Sequence, residues 1–189
     1  MVHTKDVSKM EQKSPYFLWV DLEMTGLNPA QDVILEVAAI VTNYQLEAKA
    51  SFHQIVFQPQ ETLDNMDPWC VQTHGKSGLT KAVASGKPLQ EVETMVLDFL
   101  KPFFPSPDAI ILCGNTISQD RAFIQNYMSR LYQRLHYRVL DVSAFKEVFT
   151  RLYDKTFSKK ESHRALDDIE ESIEELKYYL QFVNLSPIV

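Results

Sequence analysis

Three β-rich runs in succession, at residues 16–23, 33–43 and 51–58, give way after a long gap to helix–strand alternation. The turn-forming segments Gly26-Leu-Asn-Pro29 and Asn43-Tyr-Gln45 separate the runs at a spacing that suits an antiparallel meander. The stretch over residues 59–87 reads as irregular, and a loop of that length inside a compact domain is commonly functional. Beyond it, the spacing of Leu89, Val92, Val96 and Phe99 predicts a helix over residues 89–99. A buried strand at 109–113, a helix over 119–135, a short strand at 138–140 and helices over 142–153 and 164–182 complete the pattern. Three antiparallel strands followed by αβαβα predict an α/β fold, a mixed sheet flanked by helices. One core serves a chain of 189 residues. The expected organisation is a flexible N-terminal segment (1–14), a single domain (15–183) and a C-terminal tail (184–189).

The most informative segment is Leu18-Trp-Val-Asp21-Leu-Glu23-Met-Thr-Gly26. Alternate side chains of a strand share a face, so Asp21 and Glu23 project together while Val20 and Leu22 pack on the other side. Paired carboxylates at the end of an apolar strand repel one another, and a cation is what ordinarily keeps both ionised. Taken alone, the pair reads equally well as two solvated charges.

Two further segments carry acids in informative places. Gly114-Asn-Thr-Ile-Ser-Gln-Asp120 follows a buried strand and opens a helix, and Asp120 shares helical spacing with Phe123, Ile124, Tyr127 and Leu131. A carboxylate on that stripe points at the sheet; the plainer reading is a first-turn Asp favoured by the helix dipole. In Ser162-His163-Arg-Ala-Leu-Asp167-Asp168-Ile169, Asp167 lies on a polar face with Glu170, Glu171 and Glu174. Asp168 instead shares a stripe with Ala165 and Ser172, beside the apolar line of Ile169, Ile173, Leu176 and Leu180, and is the better interior ligand. His163 precedes this helix, where a loop can bring it over the same site; a lone histidine there is more often a surface or capping residue.

Four carboxylates, Asp21, Glu23, Asp120 and Asp168, and one histidine therefore arrive from a strand, a helix start and the last helix. Oxygen-only ligands suit two divalent ions, Mg²⁺ or Mn²⁺. Two such ions about 3.5–4 Å apart clamp the attacking and leaving oxygens of phosphodiester cleavage. An imidazole titrating near neutrality, here His163, suits a base that deprotonates the attacking water.

Bulk properties narrow the partners. A net charge of −6 counts against a broad phosphate-gripping surface and long duplexes without deciding the matter, and basic residues group only around Arg134–Arg138 and at Lys159 and Lys160. Nucleic acid, if bound, is held through few phosphates. Residues 1–14 are polar, offer no apolar signal segment, and carry Asp6 and Glu11, against an acid-poor transit sequence. No run reaches the roughly 20 apolar residues of a membrane helix. Cys70 and Cys113 are far apart and belong to no paired ligand motif. The expectation is a soluble protein of the reducing cytoplasm, with no membrane partner.

At these residues the sequence resembles the histidine-containing branch of the DEDD exonuclease superfamily: Asp-x-Glu at Asp21/Glu23, a central Asp120, and His-x-x-x-x-Asp at His163/Asp168. The resemblance is closer still to the oligoribonuclease family. Trp19-Val-Asp-Leu-Glu-Met-Thr-Gly-Leu27, Cys113-Gly-Asn-Thr-Ile-Ser-Gln-Asp120, His136-Tyr-Arg-Val-Leu-Asp-Val-Ser143 and His163-Arg-Ala-Leu-Asp-Asp-Ile169 carry it, across nearly the whole chain. Thr116, Ser118 and Val139 depart from the family's usual Ser, Gly and aromatic, which bears on phosphate contacts and not on the chemistry.

The resemblance implies a ribonuclease H-like fold and a homodimeric 3′–5′ exoribonuclease. Its substrates would be short single-stranded RNA, dinucleotides above all, cut to 5′-mononucleotides. It also implies that Leu27 wedges against the bases and that Trp69 and His74 line the same pocket. Tyr137 would be an additional catalytic residue; with Arg138 it would reach the partner subunit's site, where Arg138 and Thr116 hold the 5′ phosphate. On the residues alone, Leu27 is equally a turn hydrophobe, Trp69 a packing residue, and the segment from His136 to Arg138 a strand edge.

Rival readings exist. Asp21-Leu-Glu-Met-Thr25 resembles the Asp-x-Asp-x-Thr loop of aspartyl-phosphate phosphatases, against which stand Glu23 and the His163…Asp168 element. A proofreading DNA exonuclease would share the carboxylates, and a non-catalytic nucleotide-binding or dimerisation module would need none of them.

Overall fold

A computed structural model describes residues 14–105, 109–158 and 164–183. Strands β1 (Tyr16–Met24), β2 (Ile34–Asn43) and β3 (Ala48–Ile55) form the antiparallel meander. Strand β4 (Ile110–Gly114) lies parallel to β1, and β5 (Leu135–Asp141) parallel to β4, so the sheet runs β3-β2-β1-β4-β5. This is the expected mixed sheet.

The β2–β3 hairpin is tighter than the sequence suggested, because Asn43 Oδ1 accepts from the backbone N–H groups of Gln45 and Glu47 and closes the turn. Pairing therefore begins at Thr42 and Ala48, and β3 ends at Ile55 instead of running to residue 58.

The stretch expected to be irregular is helical. Helices α1 (Gln60–Asp64), α2 (Pro68–Ser77) and α3 (Leu79–Ala82) and one 3-10 turn (Val83–Ser85) occupy it. The Asp67 side chain accepts from Trp69 N–H, Pro68 opens α2, and Gly78 ends it at φ 81°. Leu63, Met66, Cys70, Leu79 and Val83 pack there on Leu35 of β2.

Helix α4 (Leu89–Leu100) precedes β4. The single helix expected over 119–135 is two, α5 (Ser118–Tyr127) and α6 (Ser129–Tyr132), parted at Met128 with φ −128° and ψ 61°. The cause is tertiary. Glu93 of α4 accepts from the Arg130 and Leu131 N–H groups and the Arg130 guanidinium, capping α6 from a distant element. Ending the helix early frees Leu135 to pair with Ile110, which lengthens β5. Helices α7 (Val142–Tyr153) and α8 (Ala165–Leu180) follow.

The alternation of β1 sorts its side chains between two cores. Leu18, Val20, Leu22 and Met24 face the α4–α6 side with Val92, Val96, Phe123 and Leu131. Trp19 faces the other side with Ile169, Ile173 and Leu176 of α8. Asp21 and Glu23 continue that second face toward the strand's carboxyl end, where the first turn of α8 covers it.

Candidate active site

Two carboxylates come from β1 and one from α8. One ligand oxygen each of Asp21, Glu23 and Asp168 lies within 4.8 Å of the others, all three half-buried. Asp167, its neighbour in sequence, is exposed. Burial, then the charges of Glu36, Asp168 and Asp120, push the Glu23 carboxyl up to about 8, against a smaller lowering by Arg164. A carboxylate so disfavoured in its charged form is one that a cation stabilises, and the all-oxygen donor set fits a hard divalent ion.

Asp120 approaches from the first turn of α5. It is 6% exposed, and its Oδ1 accepts from Leu22 N–H at 3.0 Å. Burial pushes its carboxyl up to about 7 despite that bond and one from its own backbone N–H. Asp120 stands outside the group of three and close enough to raise Glu23. His163 lies outside the described residues.

The substrate-side residues divide by exposure. Leu27 and Trp69 stand out at 72% and 59% exposed, large apolar surfaces offered to solvent. The Leu27 loop is braced from α5: Gln119 Nε2 donates to Leu27 O at 2.5 Å, and Tyr127 Oη to Asp32 O at 2.7 Å. A Cβ on Gly26 at its start would meet Asp32 Oδ2 at 2.5 Å and would have to displace the carboxylate that Thr25 Oγ1 and Asn28 N–H hold. His74, expected to line the same pocket, is instead buried at 1% exposed. Its Nε2–H donates to Met24 O at 2.8 Å, and its Nδ1 stands 3.8 Å from Glu23 Oε2. It therefore stands beside Glu23 of the carboxylate cluster.

Thr116 is exposed at φ 52°, held there by its N–H donating to Asp141 Oδ1 at 3.0 Å. Tyr137 and Arg138 lie on β5, an edge strand of the sheet among the described residues, with Tyr137 73% exposed. The Arg138 guanidinium rests over the Tyr137 ring, 5.3 Å from its centroid.

Several residues of this region escaped the sequence reading. Glu36, buried opposite Glu23, announced itself only as a lone acid inside Ile34-Leu-Glu-Val-Ala-Ala-Ile40. Asp141 and Gln119 stand inside motifs that carry the resemblance, but nothing in the sequence marks their roles, which are hydrogen bonds between elements distant in sequence.

A meander-first mixed sheet with convergent acids at the carboxyl end of β1 is a ribonuclease H-like arrangement. The zinc-bound exonuclease I–single-stranded DNA complex of E. coli superposes with a TM-score of 0.70 at 17% identity, over 90% of this chain and 41% of that one. This chain thus spans less than half of exonuclease I. The nuclease domain of 3′hExo, a DEDDh family member bound to rAMP, gives a TM-score of 0.62 at 18% identity, over 90% and 94% of the two chains. A family model described as exonuclease (RNase_T) matches residues 18–176. An oligoribonuclease of Francisella tularensis is 44% identical over 173 residues, 90% of this chain and 97% of the relative. The human mitochondrial oligoribonuclease is 43% identical over 175 residues, 89% and 73% respectively. The chain belongs to the oligoribonuclease family of exonucleases.

Proposed function

We propose that the chain is a metal-dependent 3′–5′ exoribonuclease that cuts short oligoribonucleotides, dinucleotides above all, to 5′-mononucleotides. The convergence of Asp21, Glu23 and Asp168 carries this reading. Those three would hold a divalent ion and Asp120 would support a second, and Mg²⁺ or Mn²⁺ suits the oxygen donors. Bound divalent cations supply positive charge at the attacking and leaving oxygens.

The chain's own residues do the rest. His163 accepts the proton of the attacking water as its oxygen bonds to phosphorus. The bond to the 3′ oxygen of the preceding nucleotide breaks, and that oxygen takes a proton from solvent. Leu27 and Trp69 hold the bases by apolar and stacking contact, which tolerates any base. His74 stands beside Glu23 and steadies it. The edge position of β5 and the exposure of Tyr137 support a homodimer in which Tyr137 and Arg138 reach the partner subunit's site. There Arg138 and Thr116 hold the 5′ phosphate. So small a set of cations suits an acidic protein that takes short substrates.

No helix among the described residues is long and apolar enough to cross a membrane. Both cysteines are free and buried, which suits a reducing compartment, and we place the protein in the cytoplasm.

Polarity and chemistry are tested together with RNA blocked at its 3′ end and RNA with a free 3′ hydroxyl. Cleavage of the free strand alone, releasing 5′-mononucleotides and stopping in chelator, is the expected result. Cleavage of the blocked strand, or 3′-mononucleotide products, contradicts the reading.

A further inference from the structure

Glu36 is a further acid on the face that carries Asp21 and Glu23. It is 0% exposed and stands directly opposite Glu23 in the β1–β2 register. A carboxylate buried there needs cationic partners. Its Oε1 has two: His53 Nε2 from the edge strand β3, and Arg164 Nη2 at 3.3 Å.

The two partners differ in what else they hold. His53 belongs to β3. Arg164 is the N-cap residue of α8 and makes no side-chain capping bond there, although the first turn carries both Asp167 and Asp168. Its guanidinium reaches outward instead: Nη1 donates to Ser77 O, at the end of α2, at 3.5 Å. Its carbonyl accepts the Asp168 N–H at 3.0 Å. Arg164 thus ties β2, the end of α2 and the turn that carries Asp168.

We propose that Glu36 and Arg164 form a latch that positions Asp168 against Asp21 and Glu23, both acting as positioning residues and not as metal ligands. This rests on the reading of Asp168 as a metal ligand. Glu36 lies outside the group whose oxygens converge. Its charge is matched by Arg164, so the helix start is pinned by an ion pair where a capping side chain would otherwise do it.

The test is Mn²⁺ binding to the metal-free full-length protein by calorimetry, with folding followed by circular dichroism. E36Q and R164M each weaken binding about tenfold, as loss of a residue that orients a ligand does. The double variant is no weaker than R164M alone, and R164K, which keeps the charge but not the fork, falls between R164M and the parent. H53Q removes a partner of the same oxygen without touching α8; it lowers the melting temperature and leaves Mn²⁺ affinity within about twofold. Parental affinity in E36Q and R164M, or equal weakening in H53Q, overturns the latch while the reading of Asp168 stands. Parental affinity in D168N overturns that reading, and the latch with it.

Discussion

The Oδ1 atom of Asp120 accepts the backbone N–H of Leu22, the residue between Asp21 and Glu23. An acid ninety-eight positions away in sequence is thereby fixed to the strand that supplies the other two. The bond holds α5 to β1, and α5 in turn braces the Leu27 loop through Gln119. Asp120 and the Leu27 loop thus share one support, α5.

Adjacent aspartates give the sharpest site test. D168N lowers kcat by at least about 100-fold, because it removes charge from the cation-holding group. D167N, at an exposed position of the same turn, stays within about twofold, as ordinary surface changes do. Steady-state rates on one short RNA decide it, and equal loss in both variants would remove Asp168 from its role.

The pH dependence of the metal-free protein follows from Glu23. Its carboxyl is raised in the folded state from 4.5 to about 8, so the folded protein holds a proton that the unfolded chain has released between those values. Stability of the metal-free form therefore falls as pH rises from about 5 to 8. A divalent cation, by compensating the charge, flattens that slope, and at pH 7 its binding releases about one proton or more. Melting curves across this range, with and without Mn²⁺, measure the first effect; calorimetry in buffers of different ionisation enthalpy measures the second. A slope of the opposite sign without metal contradicts the burial argument.

Much of this was legible in sequence, and the reasons are local. The alternation of β1 placed Asp21 and Glu23 on one face, and the small and apolar neighbours of Asp168 separated it from Asp167. The signals for α2 were also present, in Asp67-Pro68 and Gly78, but its mostly polar stretch hid a helix whose buried face is only Cys70 and His74. The break at Met128 had no such signal, because Glu93 makes it from another helix. The burial of His74 was hidden for the same reason: it is set by Met24 and Glu23, neither of them near it in sequence.

Removing the proposed base separates chemistry from binding. H163A loses about 10²- to 10⁴-fold in kcat, the range of one positioned general base, while Mn²⁺ and RNA affinities stay near parental. Full activity at pH 7 in H163A assigns the proton transfer elsewhere.

The exposed apolar pair acts on binding. W69A raises KM for a dinucleotide about tenfold or more, since a stacking contact is worth about 1–3 kcal/mol per base, and L27A raises it through the loss of about 1.5–3 kcal/mol of apolar burial against the bases. Their melting temperatures stay near parental, because both side chains already face solvent at 72% and 59% exposure. Unchanged KM with lowered stability would return both residues to packing roles.

The central claim is the preference for very short RNA, and one time course tests it. A 5′-labelled RNA dinucleotide and a 5′-labelled RNA of about ten nucleotides are each incubated with Mn²⁺ and with chelator. The account predicts metal-dependent conversion of the dinucleotide to mononucleotide at least about tenfold faster than the first cut of the longer strand. Equal or faster cutting of the longer strand, or of the corresponding DNA, contradicts the substrate assignment and leaves the carboxylate chemistry in place.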